Sequence, residues 1–194
     1  MSEPTSREKL LRGMSRSLRS RGYGATSMKE LLEVTGVSSG SMYHSFPGGK
    51  EELAAAAIRD SGLRGAEAIR QVFDDAAGAA EGVGRIFRAL VRDLERFEFE
   101  FGCPIGVPAA EASASSPAIR AACNEIFHAW VDAYRDALTA DGWPEVEATA
   151  QALAIVTAYE GSITIARAIE DTTPIANTAA DLIARIEAGS RSAA

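Results

Sequence analysis

Cysteine and histidine are nearly missing from this 194-residue chain, and their scarcity excludes several chemistries at once. Cys103 and Cys123 lack a Cys-x-x-Cys spacing and read as reduced, mostly buried thiols, not as a disulfide framework. His44 and His128 are the only histidines, so no metal-ligand pair falls at helical spacing. Gly49-Lys50 is followed by Glu51 in place of Ser or Thr, and position 44 lacks the first glycine of a phosphate-binding loop. Ser6-Arg7-Glu8-Lys9 matches Ser-x-x-Lys without its companion motifs. These gaps predict no catalysis, no metal and no cofactor. Strand-like alternation and internal repeats are also missing, so the expected fold is all α. The N-terminus is polar where a secretory signal would be apolar, and no uninterrupted apolar run approaches a membrane span; the expectation is a cytoplasmic protein with no membrane contact.

Lysine is absent beyond residue 50. The net charge of −7 therefore hides an asymmetry: residues 1–50 carry 8 Lys+Arg against 4 Asp+Glu, and residues 51–194 carry 12 against 23. A basic segment on an acidic chain offers a local electrostatic footprint for phosphate, while the acidic remainder resists non-specific spreading over a polyanion. At 46 % hydrophobic residues the chain can bury a substantial core, as one domain or as a small domain fused to a larger one.

The basic segment holds the most informative stretch, Ser27 to Phe46. Ser27 with Glu30 three residues on forms a capping box that starts a helix at about Met28. Met28, Leu31, Leu32 and Thr35 give it one buried face, and Gly36 ends it in the left-handed conformation. Val37 plugs the turn, and Ser38 or Ser39 caps a second short helix to Ser45. Met42 and Phe46 anchor this helix inward, leaving Gly40, Ser41, Tyr43 and His44 outside. Small and hydroxyl-bearing side chains allow close approach to phosphates or base edges, so the pair reads as a helix-turn-helix whose second helix enters a major groove. Lys50, at the start of the following helix, is a candidate phosphate clamp.

The rest is helical in pattern. A first helix over Ser6–Arg21 opens on the capping box Thr5-Ser6-Arg7-Glu8. Helix 4 runs from about Lys50 to Asp75, with Gly62 and Gly65 as weak points where it could bend. An amphipathic helix from Gly82 to Gly102 precedes a break over Cys103–Pro108, and a short helix of small residues is expected at Ala109–Ala114. Ile119 to Leu138 marks a long helix. Val146–Ile169 carries a stripe of Ala154, Ala158, Gly161, Ile165 and Ala168, and the last helix presents Ile175, Ala179, Leu182, Ile183 and Ile186; paired with symmetry mates, these two could form a four-helix interface.

Gly36-Val37-Ser38, Gly40-Ser41, Tyr43-His44, Phe46 and Lys50-Glu51-Glu52-Leu53 together resemble the tetracycline-repressor (TetR-like) family of transcriptional regulators. The extra residue in Phe46-Pro47-Gly48-Gly49-Lys50, and Gly102-Cys103-Pro104-Ile105 after helix 5, resemble the LmrA/YxaF-like branch. The resemblance implies an N-terminal three-helix helix-turn-helix DNA-binding domain over residues 1–49 and a larger C-terminal helical domain for ligand binding and dimerisation over residues 50–194. It further implies a homodimer through the last two helices that binds a palindromic operator in double-stranded DNA and is released by a small-molecule inducer. By position it makes Ser38, Ser39, Gly40, Ser41, Tyr43, His44 and Lys50 the DNA-contact set, with Thr26 and Ser27 touching phosphate. His44 has the competing role of a fold-stabilising cap, and Tyr43 that of core. Leu32 departs from the small alanine of many relatives.

Phe97, Phe101, Cys103, Ile105, His128, Trp130, Tyr134 and Tyr159 are the candidate lining of a pocket for an apolar or aromatic inducer. The competing reading is plain core, because an aromatic stripe at helical spacing is what core looks like. A helical small-molecule binding protein with a vestigial helix-turn-helix is the alternative function.

Overall fold

The computed structural model describes residues 3–192, and among them there are nine α-helices and no strand. In chain order these are α1 (Ser6–Arg21), α2 (Met28–Thr35), α3 (Ser39–Ser45), α4 (Gly49–Asp74), α5 (Ala79–Arg96), α6 (Gly106–Ala112), α7 (Pro117–Ala140), α8 (Glu145–Ile169) and α9 (Thr173–Ser192). The chain forms two compact units. One comprises the residues up to Leu63 with Cys103–Ile126, and the other Arg64–Gly102 with the residues from Phe127 onward.

The first unit is built on α1. Its capping box is complete: Thr5 Oγ1 accepts from the Glu8 amide, and the Glu8 carboxylate accepts from the Thr5 amide at 2.8 Å. Leu10, Leu11, Met14 and Leu18 then recur along one face and are buried where α1 packs against α2 and α3; Leu31 of α2, Met42 and Phe46 around α3, and Leu53 and Ile58 of α4 are buried as well. Ile105, Ile119, Cys123 and Ile126 bring the α6–α7 corner into the same unit. Both cysteines are buried and neither is in a disulfide. The expected weak point at Gly62 is a contact instead: a Cβ there would sit 2.3 Å from Ile126 Cγ2, so glycine lets α4 and α7 touch and the helix runs on unbroken. Gly65 is likewise covered by Trp130 in the second unit.

In the second unit α5 lies against α9, and α9 against α8. Val83, Phe87, Leu90 and Leu94 of α5 and Ile175, Leu182 and Ile186 of α9 are buried. Helix α5 starts three residues earlier than its apolar pattern predicts, because its N-terminus is capped from elsewhere. Asp141, just past α7, accepts from the Ala79 amide at 2.6 Å, and Glu81 accepts from the Ala77 amide at 2.9 Å. It also ends earlier, at Arg96. Glu98 and Phe99 turn into the left-handed region (φ 49° and 59°), and Arg167 of α8 donates to the carbonyls of Phe99 and Glu100 at 3.2 and 2.9 Å. The short helix expected at Ala109–Ala114 lies at Gly106–Ala112, with Pro108 in its first turn, where a missing N–H costs nothing.

Helix α8 is long and apolar enough to cross a membrane by length and composition alone. Ala152, Ile155, Val156 and Ile163 bury one of its faces, and Leu153 and Ile165 stand out on another at 57 % and 53 % exposure.

Candidate nucleic-acid interface

Ser27 Oγ accepts from the Glu30 amide at 3.4 Å and starts α2, but only half of the expected capping box exists. The Glu30 carboxylate pairs with Arg21 at 2.6 Å, because the end of α1 brings a cation within reach. Gly36 closes α2 in the left-handed region (φ 66°), and Val37 is buried beneath the turn. Ser38 caps α3: its Oγ accepts from the Ser41 amide at 3.2 Å and donates to Ser41 Oγ at 3.0 Å. Within α3, Met42 is buried, as is Phe46 at its C-cap, while Ser39, Gly40, Ser41, Tyr43 and His44 are exposed. Seven residues thus separate into two anchors and a polar outer face.

Two of the expected contact residues sit differently. Thr26 is buried, with its hydroxyl donating to the Gly22 carbonyl at 2.6 Å and meeting Ser17 Oγ at 2.8 Å, so it braces the turn in front of Ser27. Lys50 is half-buried; its Nζ lies 4.5 Å from the centroid of the Tyr23 ring and donates to the Gly24 carbonyl at 3.4 Å. The cation is held beside the α1–α2 turn by cation–π attraction and by that carbonyl. Arg7 stacks on Phe46 at 5.4 Å. No local spacing pairs Arg7 with Phe46, which lies 39 residues away, and only the fold brings them together.

The eight pocket candidates fall into smaller groups. Phe97 meets Phe101 edge-on at 5.3 Å, Trp130 meets Tyr159 at 6.2 Å, and Tyr159 also meets Phe87 at 5.9 Å. Tyr134 is buried against Phe73 at 5.6 Å; burial, and secondarily the Glu160 carboxylate, push its phenol well above the ordinary range. His128 is exposed. Cys103 and Ile105 belong to the other unit, where the Ile105 amide donates to Cys103 Sγ at 3.4 Å and Cys123 Sγ to the Ile105 carbonyl at 3.8 Å.

Two family models meet in this chain. Residues 10–57, which carry α1 to α3 and the start of α4, match the bacterial regulatory proteins of the tetR family. Residues 79–181 match the C-terminal domain of LmrA/YxaF-like transcriptional regulators. The HTH-type transcriptional regulator LmrA of Bacillus subtilis is 32 % identical over 179 residues, covering 90 % of this chain and 93 % of that protein. The chain belongs to the TetR family. Its place is in the LmrA/YxaF-like branch, and the uncharacterized regulator YxaF of the same organism is 31 % identical over 88 % of this chain and 89 % of its own length. A TetR transcriptional regulator from Legionella pneumophila shares the fold with a TM-score of 0.84 at 20 % identity, over 94 % of this chain and 97 % of the other. This TetR-family protein is accordingly a transcriptional regulator and not an enzyme, and the exposed face of α3 lies in its helix-turn-helix.

Proposed function

We propose that this regulator is a repressor that binds a palindromic operator as a homodimer and is released by a small molecule. The observation carrying this reading is the division of α3, where Met42 and Phe46 are buried and Ser39, Gly40, Ser41, Tyr43 and His44 form one open polar face on a basic segment. Functionally, residues 1–49 are the reading head, and residues 50–194 hold the effector and the partner subunit. Ser38 to Ser41 approach base edges, Tyr43, His44 and Lys50 contact phosphate, and Thr26 holds Ser27 at the backbone.

The dimer forms through the faces of α8 and α9 that this chain leaves open, with Leu153, Gly161 and Ile165 at its centre. Two recognition helices then meet half-sites roughly 34 to 36 Å apart. An inducer that prefers a misaligned arrangement lowers operator affinity by linkage. The aromatic groups around Trp130 and Tyr159 suit an apolar or aromatic inducer. The protein works in the cytoplasm, where its DNA lies.

The test is selection of duplexes from a random-sequence pool with the full chain, followed by affinity measured against salt. The expected result is a palindromic consensus and a steep fall in affinity with salt. Recovery of no duplex with salt-sensitive binding would favour the small-molecule binding protein with a vestigial helix-turn-helix.

A further inference from the structure

The turn between α1 and α2 reads Gly22-Tyr23-Gly24, and its backbone forms a small anion seat. Successive amides of Tyr23 and Gly24 point at one carboxylate: Glu111 Oε2 accepts from Tyr23 N at 2.6 Å, and Oε1 from Gly24 N at 2.7 Å. Paired backbone N–H groups of this kind form anion-binding concavities, and hydrogen bonds to an ionised acceptor are about twice as strong as neutral ones. The flanking glycines fit the same seat. A Cβ at Gly22 would stand 2.1 Å from Glu111 Oε2, and one at Gly24 2.7 Å from Oε1. Glu111 lies on α6, in the segment matching the LmrA/YxaF-like C-terminal domain, whereas the turn lies in the segment matching the TetR head.

The turn is also held by Lys50, whose ammonium lies over the Tyr23 ring and donates to the Gly24 carbonyl. Five residues after Glu111, the buried Ser116 donates from its hydroxyl to Glu51 of α4 and accepts from the Ile119 amide. The α6–α7 corner therefore holds the head at two points, one on the turn that leads into Thr26 and Ser27 and one beside Lys50.

We infer that Glu111 is a positioning residue for operator binding: its carboxylate, seated on the Tyr23 and Gly24 amides, sets the placement of the α1–α2 turn and so of the helix-turn-helix behind it. The inference rests on the proposed operator-binding role and assigns no DNA contact to Glu111 itself.

The experiment uses full-length Glu111→Ala, Gly24→Ala and the double variant, with the duplex recovered by selection with the wild-type chain. Gly24 lies outside the left-handed region, and its new methyl would meet only the end of a flexible side chain, so Gly24→Ala evicts the carboxylate and leaves the backbone intact. Each single variant is expected to weaken binding about tenfold, within the range typical of coupling between sites. The double variant should bind no more weakly than either single one, since both remove the same contact. The slope of affinity against salt stays at the wild-type value, because no phosphate contact is lost. Discrimination against a duplex with its half-sites moved apart by one base pair falls, a change that mere loss of stability would not produce. Single variants with wild-type affinity, or effects that multiply in the double variant, would overturn the inference while leaving operator binding intact. Failure of the wild-type chain to select any duplex would overturn both readings.

Discussion

Tyr43 keeps 55 % of its surface in solvent although it is the largest side chain of α3, and Lys50 spends its charge on a ring and a carbonyl. Under the proposed function both contact phosphate. Tyr43→Ala and Lys50→Ala are each expected to lower operator affinity roughly tenfold to a hundredfold, as loss of a hydrogen bond to a charged group does. Lys50→Ala should also reduce the salt slope by about one. Fluorescence anisotropy with the selected duplex, beside sedimentation of the free dimer, checks both. Tyr134 makes a different claim. Its buried phenol holds its proton far above the pH, about 10, at which the unfolded chain releases it, so the native state binds more protons in that window. The stability contributed by Tyr134 is therefore whole below pH about 10 and falls as the pH rises beyond it. The denaturation midpoint of Tyr134→Phe should therefore fall less steeply than that of wild type at alkaline pH.

At the scale of elements, local signals placed most helix starts and long-range contacts moved the rest. The box at Thr5 and the cap at Ser27 were legible because donor and acceptor lie three residues apart, and the choice left open between Ser38 and Ser39 falls to Ser38. The start of α5 was not, since its cap is a carboxylate 62 residues away. Asp141→Ala should remove that cap and cost about 1 kcal/mol, lowering the melting temperature by roughly 2–4 °C for a chain of this size. Calorimetry on the full chain measures this, and an unchanged melting temperature would show the contact to be dispensable. Gly62 teaches the same point from the opposite side. Glycine inside a helical pattern reads as a weak point, yet here it is the place where Ile126 comes closest.

For the molecule as a whole, the proposed division of labour rests on charge and exposed apolar surface. The basic excess stays within residues 1–50, and two of the exposed apolar residues of α8, Leu153 and Ile165, lie in the acidic remainder. Replacing both with glutamate should abolish self-association without unfolding the chain, because neither side chain is buried in the single subunit. Sedimentation velocity should then find monomers, and operator affinity should fall as the second half-site is lost. A stable dimer in that double variant would move the interface elsewhere.

The sequence by itself determined the all-helical class, the helix-turn-helix and its outward residues. Those follow from periodicity, from caps within one turn and from glycine's access to left-handed backbone, all of which act over a few residues. Only the tertiary structure decided that Thr26 faces inward, that Lys50 rests on Tyr23, and that Glu111 fills the seat made by Tyr23 and Gly24. Those arrangements join residues up to 88 positions apart, and nothing in the local spacing of either partner encodes the meeting.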